Sequence, residues 1–385
     1  MKQNNTPGRF ILCRGNYKAY IPNPLPPELE WTPKLVRVLS DADTLLGRLS
    51  GDGKRLPNPH LLIRPFVARE AVMSSRIEGT QATLGELLAK EAGASIDRSP
   101  ADLREVGNYV IALEYGIKRL KTLPLSLRLV RELHEKLMMG VRGNHATPGE
   151  FRRSQNWIGT PGCTLTNASY VPPSPDYLMD CLSHWEKFMH DKSIPPLAQI
   201  ALLHYQFEAI HPFLDGNGRV GRLLIILFLI ERSILPSPLL YISAFFEATR
   251  RDYYDRLRGV SEQGNWSAWL EYFLNGIARQ SEDALSRSER INQKIMDWRK
   301  EFSGASSKVP LKLIDILASN PYLTITKASQ RLEVAYTTIE RAIKKLENLS
   351  VVTKVGKAKR DRVYCASSIL EILDEPAKLT VSREL

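Results

Sequence analysis

The 385-residue sequence predicts a mainly helical protein built from more than one domain. Two observations lead there. Apolar residues recur at helical spacing through most of 61–301, interrupted only by a Gly/Pro/Asn-rich stretch of β-formers at 141–175. A Ser/Gly run at 303–310, SGASSKVP, then sets off a smaller unit of its own. The length itself fits two or three domains at roughly 100–200 residues each.

Taken in order, the first 60 residues are rich in Pro and Gly (NPLPPE, LPNPH) and read as an extended arm carrying one helix at 32–48. Helices are expected at 61–77, 81–91, 101–121, 126–139, 176–190, 196–209, 218–232, 247–260 and 266–301. Between them, NWIGTPGCTLTNASYVPPSP suggests a β-hairpin and loop. The expected domains are 1–100, an N-terminal region; 101–302, the core; 303–310, a linker; 311–375, a small helical unit; and 376–385, a tail.

Composition narrows the function. At 43% hydrophobic and 25% charged, the chain reads as an ordinary soluble protein. Its most apolar run, LLIILFLI at 223–230, is far shorter than the roughly 20 residues a membrane helix needs, so no membrane partner is expected. The N-terminus carries no signal-peptide pattern, which makes the cytoplasm the expected location. Cys13, Cys163, Cys181 and Cys365 are scattered, against both a disulfide framework and a zinc site, so any metal must be held by oxygen. A net charge of +11 suits an anionic partner.

The chemistry concentrates in HPFLDGNGRVGR at 211–222. Pro212 limits continuation of the preceding helix. Gly216 and Gly218 let main-chain N–H groups approach a ligand, and with the free amides opening the next helix they form an anion-binding cup. Arg219 and Arg222 are three apart, on one face of that helix's first turn. Cations are misplaced at a helix N-terminus, a conflict that bound phosphate relieves. Asp215 is a hard oxygen ligand suited to Mg²⁺. His211 can serve as a base near neutral pH. Each part alone is commonplace; all of them within twelve residues point to a nucleotide site.

This string resembles the signature of the Fic (filamentation induced by cAMP) family at every characteristic position. The resemblance covers roughly 60–280. It implies a Fic helical core with a β-hairpin flap over the active loop, and transfer of AMP from ATP to a Ser, Thr or Tyr hydroxyl of a target protein, the chain itself included. By position, His211 would take the hydroxyl proton and Asp215 would hold Mg²⁺ between the α- and β-phosphates. Asn217, with the backbone of Gly216 and Gly218, would stabilise the α-phosphate. Arg219 and Arg222, flanking Val220 and Gly221, would grip the β- and γ-phosphates. Tyr254 fits the position of a residue lining the nucleoside pocket.

A second stretch, AVMSSRIEGTQAT at 71–83, has the spacing Ser74-x-x-x-Glu78-Gly79. Taken by itself it reads as a helix end stopped by Gly79. Beside the family resemblance it is similar to an inhibitory helix, whose glutamate Glu78 would pair bidentately with Arg222 and deny it to the γ-phosphate. In some relatives the same glutamate helps remove AMP. The stretch CTLTNASYVPP would be the flap, able to add an extended target segment by strand pairing.

The unit at 308–375 reads as three helices and two strands and resembles a winged helix-turn-helix with Gly356 near the wing bend. Between 324 and 362 there are ten Lys/Arg against four Asp/Glu. Thr337, Thr338, Arg341, Lys344 and Lys345 are placed to meet a major groove of DNA, and Lys357, Lys359, Arg360 and Arg362 to meet phosphates. Dimerisation or target docking fits the same module, and a homodimer is compatible with the family. Three functions therefore stay open: a self-restrained AMP transferase; a related reaction such as AMP removal or another nucleotidyl or phosphotransfer; and a DNA-binding regulator whose core senses nucleotide.

Overall fold

In a computed structural model of the chain, the described residues are 6–55, 59–96, 100–141, 147–160, 162–304, 307–356 and 362–379; side chains of 52–62 and 100 are left aside. Lys357, Lys359 and Arg360, expected to touch phosphate, lie outside the described residues.

The chain runs β1 (Gly8–Cys13), β2 (Tyr17–Pro22), α1 (Pro33–Arg55), α2 (Pro59–Ile77), α3 (Leu84–Glu91), α4 (Pro100–Arg119) and α5 (Leu127–Met138). Then come α6 (Pro175–Met189), α7 (Pro196–Ile210), α8 (Asn217–Glu231), α9 (Ser243–Ala248), α10 (Arg250–Gln263) and α11 (Trp266–Glu301). The remainder is α12 (Val309–Ser319), β3 (Tyr322–Thr324), α13 (Ile325–Leu332), α14 (Tyr336–Asn348), β4 (Thr353–Val355), β5 (Val363–Cys365) and α15 (Ser367–Asp374). The mainly helical class is as expected. None of these helices is long and apolar enough to cross a membrane.

Three sequence expectations change. The N-terminal arm contains a β-hairpin, with β1 antiparallel to β2 in register Cys13↔Tyr17 to Gly8↔Pro22. Its turn takes positive φ at Gly15 and Asn16, so the local Arg-Gly-Asn is the signal that the proline-rich stretch beyond it obscures. Among the described residues of 141–175, by contrast, pairing shrinks to one antiparallel bridge, Ile158↔Tyr170, closed by hydrogen bonds of 2.8 and 3.0 Å. There the polar side chains reach backbone instead: Trp157 Nε1 donates to Cys163 O and Tyr170 Oη to Ala209 O. The helix expected at 247–260 is broken at Thr249 into α9 and α10.

The chain folds into two compact units, neither of them continuous. The first gathers residues up to Gly47, Asn108–Leu235 and Phe245–Ala278. Its centre is the pair α7 and α8. Every residue of α7 but Pro196 and Glu208 is buried, as is Arg219–Leu229 of α8. A helix apolar on all sides has to lie inside, and the neighbours supply the cover: α6 and β2 on α7, α5 on α8. Gly221 lets the pair close, because a Cβ there would sit 2.5 Å from Glu208 Oε1 and 3.2 Å from Phe207 Cδ1.

The second unit gathers Arg48–Gly107, Pro236–Ala244 and the chain from Arg279 on. Here α12, α13 and α14 pack around Leu313, Ile314, Ile339, Ile343 and Leu346, beside a three-stranded antiparallel sheet ordered β3-β5-β4. Helix α2 packs on α12 and α15. Buried ions join them. Arg69 of α2 donates to Leu373 O and, at 2.8 Å, to Glu375 O at the end of α15. Arg287 donates to Asp283 Oδ2 at 2.8 Å, to Ile372 O, and at 3.0 Å to both Glu375 O and Pro376 O.

Candidate active site

The loop between α7 and α8 begins where α7 stops. Pro212 cannot donate, and His211 caps the helix in the left-handed region (φ 49°), its N–H bonded to Phe207 O at 3.0 Å. A non-glycine residue held there is strained, which the surroundings must over-determine. Four side chains do so by taking the loop's carbonyls. Arg152 donates to His211 O at 2.9 Å and to Ile210 O at 3.4 Å, while its own backbone N–H bonds Pro212 O. Asn156 donates to Phe213 O at 2.8 Å. Asn217 accepts from Phe213 N (2.8 Å) and donates back to Phe213 O (2.9 Å). His134 lies 3.0 Å from Asp215 O.

His134 is fully buried, stacked on Phe213 with centroids 3.7 Å apart. Gly149 N–H donates to its Nδ1, so the hydrogen sits on Nε2 and points at Asp215 O. Burial holds its pKa down at about 4, which keeps it a neutral donor. Burial likewise pulls Arg152 down to about 10.

The loop then turns at Gly216 (φ 77°), where a Cβ would stand 2.9 Å from Met138 Sδ. Its N–H bonds the Asp215 carboxylate at 2.6 Å. The first intrahelical bond of α8 is Val220 N to Gly216 O, so the amides of Asn217, Gly218 and Arg219 precede the ladder.

The candidate residues therefore divide. His211, Asp215 and Gly218 are at least partly exposed, the Asp215 side chain 52% so. Asn217, Arg219, Val220, Gly221 and Arg222 are buried, Arg219 with Nη2 3.7 Å from Met138 Sδ and 3.9 Å from Asp215 Oδ1. Asn217, expected beside the α-phosphate, spends its carboxamide on the loop itself. A single exposed carboxylate suits Mg²⁺, which keeps several waters and shares phosphate oxygens. Among the described residues no cluster of three His, Cys, Asp or Glu could cage a metal unaided.

Tyr254 is 44% exposed and lines a cleft of about 460 Å³ with Arg258 and Glu262 of α10, Glu208 and Ala209 of α7, and the bridged strands at Ile158 and Tyr170. Its neighbour Tyr253 is buried, with Oη 2.8 Å from His204 Nε2. That settles which tyrosine faces the cleft. Ser74 and Glu78 belong to the second unit. Ser74 is buried in α2, and Glu78 is exposed in the turn just past the helix end, closed by Gly79 (φ 95°) and by Thr80 N to Ser75 O.

Sequence reasoning missed His134, Arg152 and Asn156. His134 interrupts the apolar stripe Val130, Leu133, Leu137 of α5 at helical spacing, which was the available signal. Arg152 and Asn156 lie in a polar run, EFRRSQN, with nothing to distinguish them from surface.

Known proteins place this geometry. Residues 36–118 match the family described as Fic/DOC family N-terminal, and 124–229 match Fic/DOC family. The protein adenylyltransferases Fic of Drosophila virilis and Drosophila grimshawi are 33% and 32% identical over 157 residues, 38% of this chain. The chain spans only 30% of the length of either relative. A crystal structure of a Fic family protein from Desulfovibrio desulfuricans G20 superposes over 89% of this chain and 98% of its own, with a TM-score of 0.59 at 19% identity, a likeness of fold. The chain thus carries a Fic/DOC family region at 124–229, preceded by a Fic/DOC N-terminal region at 36–118.

Proposed function

We propose that this protein is a protein adenylyltransferase that moves AMP from ATP to a Ser, Thr or Tyr hydroxyl of a target protein. The observation that carries the reading is the loop 211–217, whose carbonyls at His211, Phe213 and Asp215 are tied back by side chains, while His211 and Asp215 stay at least partly exposed and the amides of Asn217 and Gly218 precede the ladder of α8. The partial likeness to proteins named adenylyltransferases supports it.

In the proposed reaction the hydroxyl oxygen bonds the α-phosphorus, the bond to pyrophosphate breaks, and the hydroxyl proton passes to His211. Its Nδ1 lies 3.3 Å from Glu208 O, an acceptor, so Nδ1 carries hydrogen and Nε2 is the basic nitrogen. The amides of Asn217 and Gly218, ahead of the α8 ladder, stabilise charge growing on the α-phosphate, the kind of fixed donor that phosphoryl-type transfer depends on. Asp215 would hold Mg²⁺, which neutralises the phosphates. Arg219 and Arg222 answer the β- and γ-phosphates, Val220 and Gly221 keep α8 close against α7, and Tyr254 takes the nucleoside face.

The spacing of Ser74, Glu78 and Gly79 supports a brake, with Glu78 competing for Arg222. The test is mass spectrometry of the protein incubated with Mg·ATP. A self-modified product heavier by one AMP on a hydroxyl residue is expected, rising at least tenfold in Glu78→Gly. Equal labelling of both proteins removes the brake; no AMP adduct on either, alone or in lysate, removes the reaction.

A further inference from the structure

The second unit carries a surface that the transfer reaction does not use. Helices α13 and α14 are separated by three residues, with Glu333 in the left-handed region (φ 54°) making the turn. Strands β3, β5 and β4 close the module antiparallel. This is the element order of a helix-turn-helix with a wing.

Its second helix is sharply two-sided. Ile339, Ala342, Ile343 and Leu346 are buried, and α14 packs chiefly on α12 and α13. The opposite side, Thr337, Arg341, Lys344, Lys345 and Asn348, is exposed and follows the spacing of one helical face. The flank carries two acids, Glu340 and Glu347; Glu340 is answered by Arg362 from the edge of β5, which holds its carboxyl below the usual range. Strand β4 adds exposed Lys354. Among the described residues, exposed apolar groups here are sparse: Tyr336 and Leu349 stand at opposite ends of α14 and Val355 lies on β4, single residues rather than a contiguous apolar patch.

We propose that this face binds duplex DNA, with α14 in the major groove and the β4 edge along the backbone. At 13 residues α14 is roughly 20 Å long, enough to lie across a groove about 12 Å wide. Thr337 and Arg341 stand in its N-terminal half, where a recognition helix meets base edges, and Lys344 and Lys345 meet phosphates. The proposal is independent of the transfer chemistry.

The experiment titrates the full-length protein into a fluorescein-labelled 30-bp duplex of random sequence, read by anisotropy from 50 to 300 mM KCl. Three proteins are compared: wild type, Arg341→Glu/Lys344→Glu/Lys345→Glu, and a control of equal charge change at exposed positions of the first unit, Lys118→Glu/Lys121→Glu/Lys187→Glu. The α14 variant is expected to lose at least tenfold in affinity at 100 mM KCl and to flatten the log–log salt slope by about 2 to 3. The control should change less than twofold. If the triple variant does not fold by circular dichroism, Lys344→Ala alone should flatten the slope by about 1. No duplex binding by wild type at 50 mM KCl, equal losses in variant and control, or equal affinity for a single strand of the same length each overturns the proposal.

Discussion

The two units solve one problem, a buried guanidinium capping backbone carbonyls, in opposite ways. In the second unit Arg287 is 1% exposed and meets the equally buried Asp283 at 2.8 Å before it reaches the end of α15. Burial pulls on its charge, but the Asp283 carboxylate more than compensates and holds its pKa above the usual arginine value. In the first unit Arg152 caps His211, Ile210 and Pro173 carbonyls, and burial wins, lowering it to about 10. A paired ion holds a joint rigid. A guanidinium held by carbonyls alone leaves positive potential at the loop, next to where the proposed substrate brings phosphate.

That contrast can be broken from either side. Arg287→Ala strands Asp283 in the interior and is expected to cost about 3–5 kcal/mol in urea unfolding, with much of it regained by adding Asp283→Asn. If the single variant lost under 1 kcal/mol, the ion pair would be incidental. Arg152→Ala leaves only carbonyls unanswered, so about 1–3 kcal/mol is expected. Its larger effect should fall on transfer, about a hundredfold in kcat, because a loop displaced by an ångström loses its alignment. Parallel falls in stability and rate would make Arg152 a structural residue only.

A third probe separates the core of the first unit from the loop. His204 is buried against Phe246 and Tyr253, and burial lowers its pKa to about 3, with Arg222 adding to the effect. The folded state therefore disfavours the proton that the unfolded chain takes up near pH 6.5. The stabilisation is complete well above 6.5 and is lost as pH falls from there toward 3, about 2 kcal/mol by pH 5. Comparing wild type with His204→Gln by urea titration at pH 7.5 and 5 checks this; an unchanged pH dependence in the variant would contradict it.

What was legible in the sequence follows the strength of the local signal. Helix α11 has both predicted ends, and α7 and α8 lie within a residue of expectation, because long apolar periodicity over-determines them. The loop 211–222 was legible because its glycines, proline and charges are packed into twelve residues. The hairpin β1–β2 was not, since its exposed first strand shows no clean alternation. Nor were Arg152 and Asn156, whose partners on the active loop lie 55 to 59 residues away in the chain. Contacts of that range leave no local pattern.

The proposed transfer depends on the imidazole of His211 standing beside a triphosphate cradle. The most direct test incubates Glu78→Gly and Glu78→Gly/His211→Ala with Mg²⁺ and ATP labelled on either the α- or the γ-phosphate. Label retained from α-ATP alone, and reduced at least a hundredfold in the double variant, is the predicted result. Retention from γ-ATP, or equal labelling without His211, would contradict it.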